Sequence, residues 1–148
     1  MSKKILIING PNLNLLGDRE PEVYGNETLD DIKNLCEKKG KDLSLDIDFT
    51  QSNDEGEIVE SIQNAKKKFS GIIINAGALT HTSISILDAL LSTKLPIIEV
   101  HLSNIFTREA FRKESFVSKA AKGIICGFGS KGYDLALEAI STLLKEKN

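Results

Sequence analysis

The sequence lacks the features that mark membrane, secreted and nucleic-acid-binding proteins. No run approaches the roughly 18 apolar residues of a membrane-spanning helix, and the residues after Met1 do not resemble a signal peptide, so neither is expected. The formal net charge of −2 disfavours nucleic acid, because a phosphate backbone selects a basic surface. These absences favour a cytoplasmic protein that has no membrane or nucleic-acid partner.

Cysteine is scarce, and cofactor motifs are missing. The two cysteines, Cys36 and Cys126, lie in apolar patterns and are expected to be buried thiols of a reducing compartment. No set of His, Cys and Asp has the spacing of a metal site. There is no P-loop, and no G-x-G-x-x-G follows the first predicted strand, so nucleotide cofactors lack their usual binding loop. Acid–base chemistry with neither metal nor cofactor is the expectation that remains.

Short apolar runs alternate with amphipathic helical patterns, which is typical of a parallel α/β sheet. The length of 148 residues and the ordinary content of 41% hydrophobic residues predict one domain over residues 1–148. Alternating polar and apolar residues place the second strand at a sheet edge. The predicted fold is a flavodoxin-like three-layer sandwich whose parallel sheet has the order 2-1-3-4-5. The five strands are predicted at residues 5–8, 43–49, 71–74, 97–100 and 123–126.

Helical patterns fill the intervals between these strands. The first helix is predicted to begin after Thr28 as its N-cap and to end at Gly40, a residue type common at helix ends. A later helix is predicted to begin after Thr82 or Ser83. The other two helical patterns cover residues 58–69 and 133–144.

The loop after the first strand is unusually long. It covers residues 9–25, whereas a βα connection usually has 2–6 residues. Long loops in compact domains commonly cover a binding site. Leu13, Leu15 and Leu16 are expected to anchor the loop to the body of the protein. Residues 18–25 would then close over a ligand.

Polar side chains gather after the predicted strands, at the edge where open parallel sheets bind ligands. Both histidines of the chain lie there, as do its three arginines, whose planar guanidinium groups suit oxyanions. A binding site at this edge is therefore expected. The residues that follow the first four strands are Asn9, Asn12, Arg19, Tyr24, Gln51, Ser52, Asn53, Asn75, Thr80, His81, Thr82, His101, Ser103, Asn104, Arg108 and Arg112.

Two residues of the long loop suggest a general base. A phenol has an ordinary pKa of about 10, but the guanidinium of Arg19 would lower the pKa of Tyr24 by stabilising the phenolate. His101 would face this base as the general acid. Glu99 shares its strand face and would orient the imidazole and keep it protonated, although a purely structural salt bridge of Glu99 is an equally good interpretation. Polar groups suited to a hydroxylated carboxylate are Asn75, His81, Ser103 and Arg112.

Together these residues resemble the type II 3-dehydroquinate dehydratases over nearly the whole chain, from Ile5 to about Leu137. The resemblance implies trans-elimination of water from 3-dehydroquinate through an enolate, yielding 3-dehydroshikimate in the shikimate pathway without metal or organic cofactor. The motifs, in chain order, are NGPNLNLLGDREPEVYG, FTQSNDEGEIVE, INAGALTHTSISILDAL, IEVHLSNIFTREAFRKES and GFGSKGYDLAL.

The resemblance also implies residue roles. Tyr24 would remove the C2 proton, with Arg19 sustaining its phenolate, and His101 would protonate the departing C1 hydroxyl. Asn12 would stabilise the enolate through an ordered water. In the dodecamer that the family forms, a tetramer of trimers, Asp88 would reach into a neighbouring subunit's site. The substrate carboxylate would be held by Asn75, Leu102 and Ser103, and the ring hydroxyls by His81 and Arg112.

The sequence departs from the family at positions that carry no chemistry. Ala76 and Leu79 stand where Pro and Tyr are common, and Lys113 and Glu114 stand where His is common. A non-catalytic module that senses a small carboxylate is the alternative of another class, which an intact base and acid disfavour. The same reaction could also serve quinate catabolism, and the sequence does not separate that role from biosynthesis.

Overall fold

Runs of branched apolar residues form one parallel sheet in the computed structural model, which describes residues 3–18, 22 and 26–146. Its strand order is β2-β1-β3-β4-β5, and all neighbouring strands are parallel. The predicted fold class, strand order and edge position of the second strand are confirmed. The strands are β1 (Lys3–Asn9), β2 (Leu45–Gln51), β3 (Gly71–Asn75), β4 (Ile97–His101) and β5 (Gly123–Cys126).

The helices begin at the caps that the sequence indicates. Thr28 and Asp31 form a reciprocal capping box, in which each side chain accepts a hydrogen bond from the other residue's backbone amide, at 3.1 and 3.0 Å. Ser83 Oγ accepts from the amide of Ile86 at 2.9 Å, which places the start of the third helix after Ser83. The helices are α1 (Leu29–Asp42), α2 (Glu55–Lys68), α3 (Ile84–Thr93) and α4 (Lys131–Glu146).

Successive side chains of β1 point to opposite faces of the sheet and contribute to a hydrophobic core on each face. Ile5 and Ile7 pack in one cluster with residues of α1 and α4. Leu6 and Ile8 point to the opposite face and pack with residues of α2 and α3. The three layers of helices, sheet and helices follow from this alternation.

The first helix does not end at Gly40, contrary to the prediction. Gly40 lies inside α1, and a Cβ there would come within 2.6 Å of Ile47 Cγ1 and 2.8 Å of the Leu45 carbonyl oxygen. Glycine is therefore required by close packing of α1 on β2 rather than by a helix terminus. The chain turns at Ser44, whose φ of 59° is left-handed, so β2 begins at Leu45 and not at residue 43.

Two burial predictions are only partly right. Cys36 is buried, but Cys126 is half-buried, because β5 is an edge strand that pairs with β4 alone. Leu13 and Leu16 are buried and anchor the first loop as expected, whereas Leu15 is exposed at the outer side of a short 3₁₀ turn. None of the helices in the described part of the chain is long and apolar enough to cross a membrane.

Candidate active site

A cleft opens at the carboxyl ends of β1, β3 and β4. The topology therefore places the site where open parallel sheets bind ligands. Seven of the residues that were given a catalytic or substrate-binding role line this cleft: Asn12, Asn75, His81, His101, Leu102, Ser103 and Arg112. Residues that line it without such a role are Pro11, Leu13, Gly77, Ala78, Ile105 and Arg108.

Strand register brings the amide side chains of the site together. Asn9 and Asn75 are paired neighbours at the ends of β1 and β3. Just beyond them the amide of Gly10 donates to the Asn75 carbonyl at 2.8 Å. A Cβ at Gly10 would lie 2.3 Å from the Ala76 carbonyl oxygen, so only glycine permits the two strand ends to approach this closely.

Asn12 occupies a fixed position at the floor of the first loop. Its φ of 71° is left-handed, a conformation that asparagine tolerates better than most residues. Its backbone amide donates to Asn53 Oδ1 at 3.0 Å, and Gln51 Nε2 donates to the same oxygen at 3.1 Å. The loops after β1 and β2 thus hold Asn12 against the cleft.

His101 and Glu99 form a buried pair at the end of β4. Their alternate positions along the strand place both on one face, and His101 Nε2 lies 2.5 Å from Glu99 Oε2. Glu99 is fully buried, and His101 is 5% exposed. Since Nε2 faces the carboxylate, Nδ1 is the ring nitrogen available to a ligand in the cleft. A buried carboxylate in this position orients the ring and pairs with its positive charge when His101 carries two protons.

Two serines, Ser115 and Ser118, complete the surroundings of Glu99. Ser115 Oγ donates to Glu99 Oε2 at 2.8 Å, and Ser118 Oγ donates to Glu99 Oε1. Burial raises the pKa of Glu99, yet the hydrogen bonds from His101 and the serines outweigh it and hold the pKa of the carboxyl below its ordinary value. Glu99 is therefore ionised, and each of its oxygens has a donor.

His81 also lines the cleft, with its ring 6.4 Å from that of His101, and it is held in a defined tautomer. Its Nδ1 lies 2.7 Å from the Glu114 carbonyl oxygen, which can only accept, so Nδ1 carries the proton and Nε2 is left as an acceptor. Burial, together with the positive charges of His101 and Arg112, holds the pKa of His81 below its usual value. The neutral ring can accept a hydrogen bond from a hydroxyl group.

Two arginines, Arg108 and Arg112, line the cleft. Arg112 Nε donates to Glu109 Oε1 at 3.0 Å, which holds its guanidinium in place. Arg108 Nη1 donates to Ser103 Oγ at 3.4 Å, and its Nε lies 3.6 Å from the same Glu109 oxygen. Both guanidinium groups thus stand beside the cleft, and their planar form suits an anionic ligand.

Comparison with models of known protein families shows to which family the chain belongs. The model of the dehydroquinase class II family matches residues 3–141. The chain belongs to that family. Over 144 residues it is 59% identical to the 3-dehydroquinate dehydratase of Prochlorococcus marinus subsp. pastoris, covering 97% of this chain and 99% of that protein. It is 52% identical over 147 residues to the 3-dehydroquinate dehydratase of Brucella canis, covering 99% and 94% of the two chains.

Solved structures of the class II dehydroquinase family have the same fold. The type II dehydroquinase from Propionibacterium acnes superposes with a TM-score of 0.92 at 44% identity, covering 96% of this chain and 98% of that one. The corresponding enzyme from Butyrivibrio crossotus also gives a TM-score of 0.92 at 44% identity, covering 94% and 97%. The resemblance noted in the motifs is thereby confirmed.

Not every residue expected to act in a class II dehydroquinase site can be placed in the cleft. Arg19 and Tyr24 lie outside the described residues, as does most of the segment expected to close over a ligand. Asp88 lies on α3, does not line the cleft and is exposed. Within the described residues, no group of three or more His, Cys, Asp or Glu side chains could hold a metal ion.

Sequence reasoning missed the serines around Glu99 and the contacts of Arg108. The serines lie 16 and 19 residues from Glu99, in a segment of short turns. No periodic pattern links such a segment to a strand. The sequence contained one indirect signal for these serines. A glutamate buried in a strand requires hydrogen-bond donors, and these must come from elsewhere in the chain.

The acceptor role of His81 predicts a pH effect on substrate affinity. Protonation of Nε2 at low pH would replace an acceptor with a donor, so KM should stay constant from neutral pH to below about 6.5, the ordinary histidine value, and rise at lower pH. The lowered pKa of His81 sets this direction. KM measured from pH 4.5 to 8 in the wild type and in His81→Asn tests it. The variant should lose the rise at low pH, and an unchanged rise would assign it to another group.

Proposed function

We propose that this chain is a 3-dehydroquinate dehydratase that eliminates water from 3-dehydroquinate through an enolate. The observation that carries the proposal is the buried Glu99–His101 pair beside the cleft, in which His101 would be the proton donor. A base removes the C2 proton, and the ketone at C3 takes the electron pair as an enolate. When the enolate collapses, a C1–C2 double bond forms and the C1 hydroxyl leaves as water, with the proton from His101.

The base in this proposal is Tyr24, with Arg19 sustaining its phenolate. Both assignments rest on the motif NGPNLNLLGDREPEVYG and on family membership. Asn12, held at the cleft by Asn53, would stabilise the enolate through an ordered water. A trans-elimination requires the base on the long loop and the acid on β4 to act on opposite faces of the ligand. A module that only binds a carboxylate would need neither group.

The remaining groups would bind two different parts of the substrate, its carboxylate and its ring hydroxyls. Asn75, Leu102 and Ser103 would hold the carboxylate, beside the positive charge of Arg108. His81 and Arg112 would hold ring hydroxyls, and the acceptor Nε2 of His81 supports this role. The proposed reaction requires no metal or organic cofactor, and the proposed catalytic domain is residues 1–148.

The direct test is an absorbance assay of the purified protein with 3-dehydroquinate. The product contains a conjugated enone, so ultraviolet absorbance should increase with time. An enolate mechanism leaves no covalent adduct on a lysine. Treatment with substrate and borohydride should therefore leave activity intact. A flat absorbance trace would refute the proposed function, and inactivation by borohydride would refute the enolate mechanism while leaving the function in place.

The proposed assembly is the dodecamer of the family, a tetramer of trimers, with Asp88 completing a neighbouring site. Support comes from one face of α3, on which Ile84, Asp88 and Leu91 are spaced four and three residues apart. Ile84 and Leu91 are 57% and 53% exposed. Large apolar side chains on both sides of an exposed carboxylate are typical of an interface that presents a charged group to a partner.

Replacing Leu91 with aspartate should therefore weaken the assembly. A charge buried in an apolar interface is strongly disfavoured, and losing an anchor of this size costs roughly 2 kcal/mol, or about thirtyfold in association. Sedimentation velocity should show smaller species, and kcat should fall with them. The control is Gln63→Asp, which adds the same charge at an exposed position of α2. A wild-type sedimentation profile for Leu91→Asp would exclude this face of α3 from the interface.

A cytoplasmic location is also proposed. Both cysteines are free thiols, which suits a reducing compartment. Retention of the protein in the soluble cytosolic fraction of its host would test this location.

A further inference from the structure

A chain of buried hydrogen bonds runs behind the cleft and ends at Asn75. Asn75 Nδ2 donates to the hydroxyl oxygen of Tyr133 at 3.0 Å, and that hydroxyl donates to Asn9 Oδ1 at 2.6 Å. Tyr133 and Asn9 are fully buried, and Asn75 is 3% exposed. Asn75 lines the cleft, whereas neither Tyr133 nor Asn9 does.

Backbone groups at both ends fix the direction of this chain of hydrogen bonds. Asn9 Nδ2 donates to the Thr50 carbonyl oxygen at 2.9 Å, and a carbonyl can only accept. At the other end, Asn75 Oδ1 accepts from the amide of Gly77 at 3.2 Å, and an amide can only donate. Reversing either side-chain amide would set two donors or two acceptors against each other. The two termini therefore allow one arrangement of protons.

The hydroxyl of Tyr133 connects the two side-chain amides, as a donor to Asn9 and an acceptor from Asn75. Because its proton is committed to Asn9, its oxygen must accept from Asn75. Burial raises the pKa of Tyr133 far above its usual value, so the phenol keeps its proton near neutral pH. A phenol in this state is a fixed donor and acceptor rather than an acid or a base.

Asn75 consequently has one N–H left for a ligand. One hydrogen of Nδ2 is used by Tyr133, and Oδ1 is already held by Gly77. The remaining hydrogen is the donor that Asn75 can offer in the cleft. We propose that Tyr133 is a positioning residue that locks Asn75 as a hydrogen-bond donor, so that this wall of the cleft selects an acceptor oxygen, here the substrate carboxylate. The inference rests on the proposed dehydratase function.

Tyr133→Phe tests the proposal by removing one oxygen. The variant leaves Asn75 Nδ2 without its acceptor, so the 3.2 Å hydrogen bond from the Gly77 amide is the one contact left to oppose rotation of the side-chain amide, which would present its oxygen to the carboxylate. KM for 3-dehydroquinate should rise about tenfold or more, the range expected when a hydrogen bond to a charged group is lost. The value of kcat should change little, because the acid and the proposed base are untouched. A general loosening of the fold would lower kcat as well.

The control is Ile140→Val, which removes a buried methylene from the same helix and breaks no hydrogen bond. Its KM should stay at the wild-type value even if its melting temperature falls. A second variant, Asn9→Ala, removes the acceptor of the Tyr133 proton from outside the cleft and should raise KM in the same way. If Tyr133→Phe does not fold, the KM of Asn9→Ala still tests the positioning role of Tyr133.

The outcomes separate the inference from the function on which it rests. Turnover by the wild type, with an unchanged KM in Tyr133→Phe or in Asn9→Ala, would overturn the positioning role alone. An equal rise of KM in Ile140→Val would also overturn it, because packing and not polarity would then control affinity. Absence of wild-type turnover would overturn the proposed function, and the inference with it.

Discussion

Replacing His101 with alanine should lower kcat by roughly 10²- to 10⁴-fold, the usual contribution of a general acid. The structure supports this size of effect because His101 is the titratable side chain that Glu99 orients at the floor of the cleft. Without a proton donor the C1 hydroxyl must leave as hydroxide, a much poorer leaving group. The loss should appear in kcat more than in KM, since the proton is transferred only as the bond breaks.

The alanine variant also leaves a buried carboxylate without one of its three hydrogen-bond donors, which is destabilising. His101→Gln separates the two effects, because a glutamine amide can still donate to Glu99 but cannot transfer a proton. It should keep a melting temperature nearer that of the wild type and lose as much kcat as the alanine variant. Stopped-flow or steady-state absorbance gives kcat, and calorimetry gives the melting temperature. Near-normal kcat in either variant would mean that another group supplies the proton.

The role of Glu99 was left open by the sequence between orienting His101 and forming a structural salt bridge. The short distance to His101 Nε2 favours the first interpretation, and the hydrogen bonds of Ser115 and Ser118 explain how the carboxylate stays ionised while fully buried. A carboxylate held by three donors cannot swing away from the ring. The ring of His101 is therefore held in one orientation at the edge of the cleft.

The fold could be predicted because its information is local. Short runs of branched residues such as 71–74 and 97–100 are strands in any parallel sheet, and the caps at Thr28 and Ser83 mark helix starts through hydrogen bonds within one turn. Topology then follows, because right-handed βαβ connections leave few possible orders. The site followed from the topology, since the polar residues cluster at the carboxyl ends of the strands.

What could not be predicted depends on distant parts of the chain. Glycine is a residue type common at helix ends, which is why a helix end was predicted at Gly40. The structure shows instead that Gly40 is required because Ile47 of the next strand packs closely against it. Tyr133 has the spacing of an ordinary core residue on an amphipathic helix, and nothing local shows that its hydroxyl lies between Asn9 and Asn75. The two hydrogen bonds join residues that are 58 and 124 positions apart in the chain, and such distant pairs leave no periodic pattern in a single sequence.

Removing the hydroxyl of Tyr24 should have the second large effect. Tyr24→Phe keeps the ring, so the variant should bind substrate with nearly unchanged KM, yet lose roughly 10²- to 10⁴-fold in kcat because the C2 proton has no acceptor. The chain contains only two tyrosines, which gives a direct contrast. Loss of the Tyr133 hydroxyl should act on KM, whereas loss of the Tyr24 hydroxyl should act on kcat.

Arg19 provides the test of how a phenol can act as a base near neutral pH. The rate requires the phenolate, so kcat should fall on the acid side of its pH profile as Tyr24 takes up a proton. Arg19→Ala removes the cation that stabilises the phenolate, and the pKa of Tyr24 should move toward the ordinary value of about 10. The acid limb of kcat should therefore shift to higher pH, and Arg19→Lys should restore part of the shift by restoring the charge. An acid limb that stays in place in Arg19→Ala, or substantial activity in Tyr24→Phe, would remove this pair from the proposed mechanism.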